Sequence, residues 1–163
     1  MAGKSKSAQA SSFAELRGAR ILIIEARYYE KIADELLAGA EAELNAAGIA
    51  FERITVPGAL EIPSAIIIAS DASREPYAGA IALGCVIRGE TSHYDTVCNN
   101  ANHWLMDQAV RHGIALGNAI LTVETEAQAL ERAKGGRNGK GGDAVRACLA
   151  LVALERAYAE EDV

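Results

Sequence analysis

Four apolar runs recur along the chain, each ending in residues that stop a strand. RILIIEA (Arg20–Ala26) is short, apolar and rich in β-branched residues, as a fully buried strand requires. FERITV (51–56) meets the Pro57-Gly58 turn, GAIALGCVI (Gly79–Ile87) runs into the polar RGETSH, and NAILTV (118–123) is the fourth. Between the runs the period changes. Ile32, Leu36, Leu37, Ala40 and Leu44 fall at helical spacing over 29–47, and Gly48 is the stop. Pro63 suits the first turn of a helix carrying SAIIIAS to about residue 70, because its missing N–H costs nothing there. Further helices are expected over 95–111, Glu126–Ala133 and 143–158, with KGGRNGKGG as a loop before the last.

Strands alternating with helices imply parallel βαβ units and helices on both faces of an open four-stranded sheet. In such sheets ligands lie beyond the carboxyl ends of the strands. The segments ARYY, PGALE and RGETSH follow the first three strands, so those three ends are expected to cluster. Nothing in the chain suggests an internal repeat or a dividing linker. Residues 1–18 are expected to form a flexible tail and 19–160 a single domain.

Composition narrows the function classes. The chain has 163 residues, 50% hydrophobic and 23% charged, which is globular composition. A formal charge of −6, with no stripe of lysine and arginine, argues against a nucleic-acid partner. No run approaches the ~20 apolar residues a membrane span needs. MAGKSKSAQASS has no apolar core, unlike a secretory signal. Cys85, Cys98 and Cys148 show no C-x-x-C spacing, which reads as reduced thiols in a cytoplasmic protein.

Two segments carry the candidate chemistry. In RGETSH, Gly89 lets backbone amides approach an anion, Thr91 and Ser92 add hydroxyls, and His93 can move a proton near neutral pH. The alternative is a solvated turn with a capping threonine. GGRNGKGG resembles a phosphate loop but fails its pattern: Gly139-Lys140 is followed by Gly141, and Lys134 stands where the first glycine should be. Tyr28 is placed to stack on a planar ligand or to pack on the surface. Glu61 is placed to accept from ligand hydroxyls or to cap a helix. His103 and His112 lie outside any H-E-x-x-H pattern, so no metal site is expected.

Taken together, VPGALEIP, GCVIRGETSHYD, LTVETEAQALERA and GKGGDA resemble lumazine synthases, and the resemblance runs in order from about Ile21 to Tyr158. It implies a flavodoxin-like three-layer sandwich. It also implies condensation of 5-amino-6-(D-ribitylamino)uracil with 3,4-dihydroxy-2-butanone 4-phosphate, releasing phosphate and water, in riboflavin biosynthesis. No metal or organic cofactor is implied. Homo-oligomers are: pentamers, with larger assemblies in some members and active sites at the seams between copies.

Carried onto this chain, the resemblance makes Tyr28 the ring that stacks on the pyrimidine. Ala59, Leu60 and Glu61 hold the ribityl chain, and Cys85, Val86 and Ile87 offer backbone to the pyrimidine edge. Glu90 and Thr91 form the phosphate turn, Arg132 pairs with phosphate, His93 transfers protons, and Lys140 lies near the site. Three departures stand out. Asn118 occupies a substrate-side position that is bulky and apolar in many members. Glu90 puts a carboxylate in the phosphate turn, and RNGKG shifts its asparagine. A flavin or lumazine carrier would share the stacking contacts but would not need His93 and Arg132 together. A capsid-forming relative with weak activity is the other rival.

Overall fold

A computed structural model describes residues 12–161. Four strands, β1 (Arg20–Ala26), β2 (Ala50–Val56), β3 (Gly79–Ile87) and β4 (Leu116–Val123), form one parallel sheet in the order β2-β1-β3-β4. Five α-helices accompany them among the described residues: α1 (Glu30–Ala47), α2 (Ile62–Ala72), α3 (His93–His112), α4 (Glu126–Ala133) and α5 (Lys140–Glu161).

The sheet separates two cores. Ile21, Ile23, Ile81, Leu83 and Leu121 meet Leu36 and Leu44 of α1, Ala129 of α4, and Val145 and Leu149 of α5. On the other face Leu22, Ile24, Ala82 and Ile120 meet Ile62 and Ile66 of α2 and Val97 and Leu105 of α3. Alternate side chains of a strand point to opposite faces, so a strand covered on both sides must be apolar throughout. That is why β1 reads as an unbroken run. The result is a three-layer α/β/α sandwich of the flavodoxin-like kind.

Several boundaries differ from expectation. The supposed tail already contributes to the core: Ser12–Leu16 form a 3-10 turn whose Phe13 and Leu16 are both buried. Packed structure therefore begins ahead of residue 19, while residues 1–11 of the expected tail lie outside the described residues. The third helix starts at His93, not Asp95, which places His93 on its first turn. The last starts at Lys140, inside the expected loop.

One glycine of that region and one on β4 explain why. A Cβ on Gly141 would come within 2.0 Å of the Leu36 carbonyl oxygen on α1. One on Gly117 of β4 would come within 2.0 Å of the Ala144 carbonyl oxygen on α5. Close helix packing, not loop flexibility, selects glycine here. Gly117→Ala is expected to push α5 off the sheet at a cost of about 1–3 kcal/mol, read as a lower thermal midpoint.

Candidate functional site at the carboxyl ends of the strands

The chain leaves β1 toward β2 on one side, and later returns to place β3 on the other. This reversal opens a crevice between the carboxyl ends of β1 and β3. Register makes it deeper. Pairing of β1 with β3 ends at Glu25 and Leu83, whereas β3 continues against β4 as far as Ile87 and Val123. Residues 84–87 thus have no strand partner on the β1 side. Those of their peptide groups that point to the β1 side suit the edge of a planar, hydrogen-bonding ligand.

Side chains from three loops surround this edge. Tyr28 follows β1 and is 74% exposed, its ring standing edge-to-face with that of Tyr29 at a centroid separation of 5.0 Å. Burial of the Tyr29 phenol raises its pKa. After β2, Ala59–Glu61 make a 3-10 turn packed on β3 and α3, with Ala59 buried and Leu60 and Glu61 exposed. Glu61 precedes α2 yet makes no capping hydrogen bond, so its carboxylate remains available.

The third loop forms an anion corner. Ser92 makes no side-chain capping bond to α3; in the first turn the Asp95 N–H donates to the Ser92 carbonyl at 3.1 Å, and the Tyr94 N–H is the amide left for another acceptor. Thr91 Oγ1 accepts from the His93 backbone N–H at 3.3 Å, and Glu90, Thr91 and His93 are all exposed. Arg88 turns away from the corner. Its guanidinium lies 4.1 Å from the Tyr94 ring centroid and pairs with Asp95 and Glu124, at 3.4 and 3.1 Å. Arg88 therefore clasps the loop to α3 and the end of β4. Burial pushes the Cys85 thiol up to about 11, which leaves it a poor nucleophile. Cys85, Val86 and Ile87 offer their backbone, with side chains divided between the two cores.

Three candidate residues stand apart. Asn118 pairs with Ala82 and lies five residues short of Val123, about 16 Å from the strand end at ~3.3 Å per residue. Its Nδ2 donates to Asn102 Oδ1 at 2.8 Å, and its Oδ1 accepts from the Ile120 N–H at 2.9 Å. Arg132 is exposed in the last turn of α4 and donates to the Gln128 carbonyl at 3.1 Å. Lys140 opens α5 next to the point where Gly141 meets Leu36, with its Nζ 3.3 Å from Asp143 Oδ2. Asn118 lies on β4, an edge strand of the sheet, and Arg132 on the helix that follows it.

A family model described as 6,7-dimethyl-8-ribityllumazine synthase matches residues 18–156. The chain belongs to this family. Among curated lumazine synthases, that of Azorhizobium caulinodans is 57% identical over 150 residues, covering 90% of this chain and 93% of its own. Those of Methylorubrum populi and Rhodopseudomonas palustris are 56% and 53% identical, covering 87% and 90% of this chain and 86% and 91% of their own.

The structure also explains the segment that imitates a phosphate loop. Arg137 sits in a 3-10 turn, Gly136–Asn138, and its Nε is 2.7 Å from Glu43 Oε2. Arg146 Nη1 approaches the same oxygen at 3.0 Å and donates to the Arg137 carbonyl at 2.8 Å. Glu43 is 1% exposed. Burial would raise the Asp143 pKa, but Arg146 and Lys140 hold it below the usual carboxylate value. The basic residues of this segment thus answer carboxylates of the same chain. One sign was present in the sequence: Glu43 follows Leu36 and Ala40 on the apolar stripe of α1, where a carboxylate demands a cationic partner.

Proposed function

We infer that this chain is a 6,7-dimethyl-8-ribityllumazine synthase, a transferase that condenses 5-amino-6-(D-ribitylamino)uracil with 3,4-dihydroxy-2-butanone 4-phosphate in riboflavin biosynthesis. The observation carrying this reading is the unpaired β3 edge at residues 84–87, flanked by the exposed Tyr28 ring, the free Glu61 carboxylate and the anion corner. A pyrimidine needs a backbone edge and a stacking face. A ribityl chain needs an acceptor for its hydroxyls, and a phosphate needs amides.

The reaction orders these parts. The pyrimidine amine attacks the ketone and water leaves to give an imine; phosphate is eliminated; the ribityl-bearing amine then closes the ring with loss of water. Each step moves protons, which His93 exchanges beside the anion corner. Amides of Gly89 to Thr91 stabilise the departing phosphate, and binding both substrates in one crevice replaces an unfavourable encounter in solution. The residues engaged need neither a metal nor an organic cofactor.

The arrangement is completed by a second copy. Tyr28, Glu61 and His93 share one platform, whereas Asn118 and Arg132 lie along the β4 flank and Lys140 on α5. A groove of about 720 Å³ between α3 and β4, lined by Tyr94, Cys98, Asn102, Met106, Val110 and Thr122, marks that flank. Trp104, Met106 and Val110 of α3 and Ile68 of α2 are more than half exposed, an apolar surface suited to burial between copies. A ring of five copies sets the flank of each against the platform of the next, with Arg132 meeting the phosphate across the seam. Among the described residues no helix is long and apolar enough to cross a membrane. The three free thiols suit the cytoplasm.

Mixing the two substrates with the protein tests the reaction: lumazine fluorescence and free phosphate are expected to rise together, one per turnover. Binding of the pyrimidine without product would favour a carrier. Arg132→Ala is expected to weaken the butanone phosphate by about 1.5–3 kcal/mol, the worth of a charge-assisted contact, and leave the pyrimidine nearly unchanged. Separate calorimetric titrations of the two ligands check this.

A further inference from the structure

Tyr28 raises a problem of order. It is the middle residue of the short β1–α1 connection and is three-quarters exposed, so packing does little to hold it. An exposed ring that must be fixed on each binding event loses affinity to the entropy of fixing it. What keeps the loop in place is a chain of ion pairs beside it in sequence. Glu25, at the end of β1, is 1% exposed although charged. Its Oε1 accepts from Thr55 Oγ1 at 3.0 Å and lies 3.6 Å from Arg53 Nε, both on β2. Its Oε2 accepts from Arg27 Nη1 at 3.1 Å. The other end of the same guanidinium, Nη2, donates to Asp34 on α1.

We propose that Glu25, Arg27 and Asp34 form a strap that pre-orders the loop and presents the Tyr28 ring to the pyrimidine, making Glu25 and Arg27 positioning residues for pyrimidine binding. The strap spans the loop, from the strand that enters it to the helix that leaves it. A guanidinium reaches both carboxylates at once because its donors form a rigid fork; a lysine ammonium is a single point and holds one or the other. The geometry explains why a carboxylate is buried at the end of a strand that is otherwise apolar. Thr55 and Arg53 hold Glu25, Glu25 holds Arg27, and Arg27 holds the loop.

This inference rests on the stacking role given to Tyr28, so the test separates the two. In the full-length enzyme, Asp34→Asn and Arg27→Lys are compared alone and combined with Tyr28→Ala, by steady-state kinetics for each substrate. Asp34 is exposed, so Asp34→Asn leaves the buried part of the strap in place. Each single strap variant is expected to raise KM for the ribitylaminouracil by about 3–10-fold, the cost of ordering a freed loop, with kcat within about twofold. KM for the butanone phosphate is expected to stay put. With Tyr28→Ala already present, the strap variants should add nothing, because the ring they position is gone. Full additivity with Tyr28→Ala, or equal KM increases for both substrates, would overturn the strap. An unchanged pyrimidine KM in Tyr28→Ala alone would instead overturn the stacking reading, and the strap's purpose with it.

Discussion

His93→Ala is expected to lower turnover by about 10–10³-fold while pyrimidine binding stays near that of the parent enzyme. The argument starts from what the substitution leaves intact. His93 holds the start of α3 through its backbone N–H, which donates to Thr91 Oγ1, and alanine keeps that bond. Alanine is also a strong helix former, so the first turn of α3 and its amides remain. Only the imidazole is lost. Imine formation, phosphate departure and ring closure all require proton transfer, and the imidazole is the group at the corner able to both give and take a proton near neutrality. Water replaces it poorly, but substrate positioning persists, so residual activity should be measurable. Single-turnover kinetics beside pyrimidine titration checks both halves. Unchanged turnover would remove His93 from the mechanism.

Glu43→Ala is expected to be the most damaging change to stability, at about 3–5 kcal/mol. The substitution removes one carboxylate but strands two guanidiniums. Arg146 suffers most, since its side chain is only 12% exposed and Glu43 is one of two carboxylates within its reach. Arg137 is 45% exposed and can turn toward water. The network also joins α1 to the turn before α5 and to α5 itself, so its loss loosens two packed elements together. Glu43→Gln keeps the shape and removes the charge, and should fall between the parent and Glu43→Ala. Thermal midpoints at fixed protein concentration rank the three proteins. A midpoint for Glu43→Ala equal to the parent's would mean that the pair contributes nothing.

Sequence and structure agree where burial writes a local pattern. β1 and β3 are covered on both faces and therefore read as apolar runs. The loops after them could be placed at one edge because parallel strands share a direction. Features set by distant contacts left weaker traces. Arg137 and Arg146 lie 94 and 103 residues from Glu43, so no local spacing announces their pairing. The start of α5 was hidden by glycines that read as a loop, although one of them, Gly141, is where α1 and α5 approach. Phe13 and Leu16 sit in a segment whose polar, small-residue start suggests a tail. The distance of Asn118 from the carboxyl end of its strand was legible, since NAILTV begins with it. The partners of Arg88 were set at a distance, since its two carboxylates come from α3 and from just beyond β4.

The central claim is that one chain holds the platform and another supplies Arg132. His93→Ala and Arg132→Ala chains, coexpressed in equal amounts and verified as mixed rings, measure it directly. If each site takes one residue from either side of a seam, about one seam in four carries both native residues in a random mixture. Mixed rings are then predicted to recover close to a quarter of the parent activity per site, well above either variant alone. Verified mixed rings no more active than the average of the two variants would contradict the shared site and place both residues in the same chain.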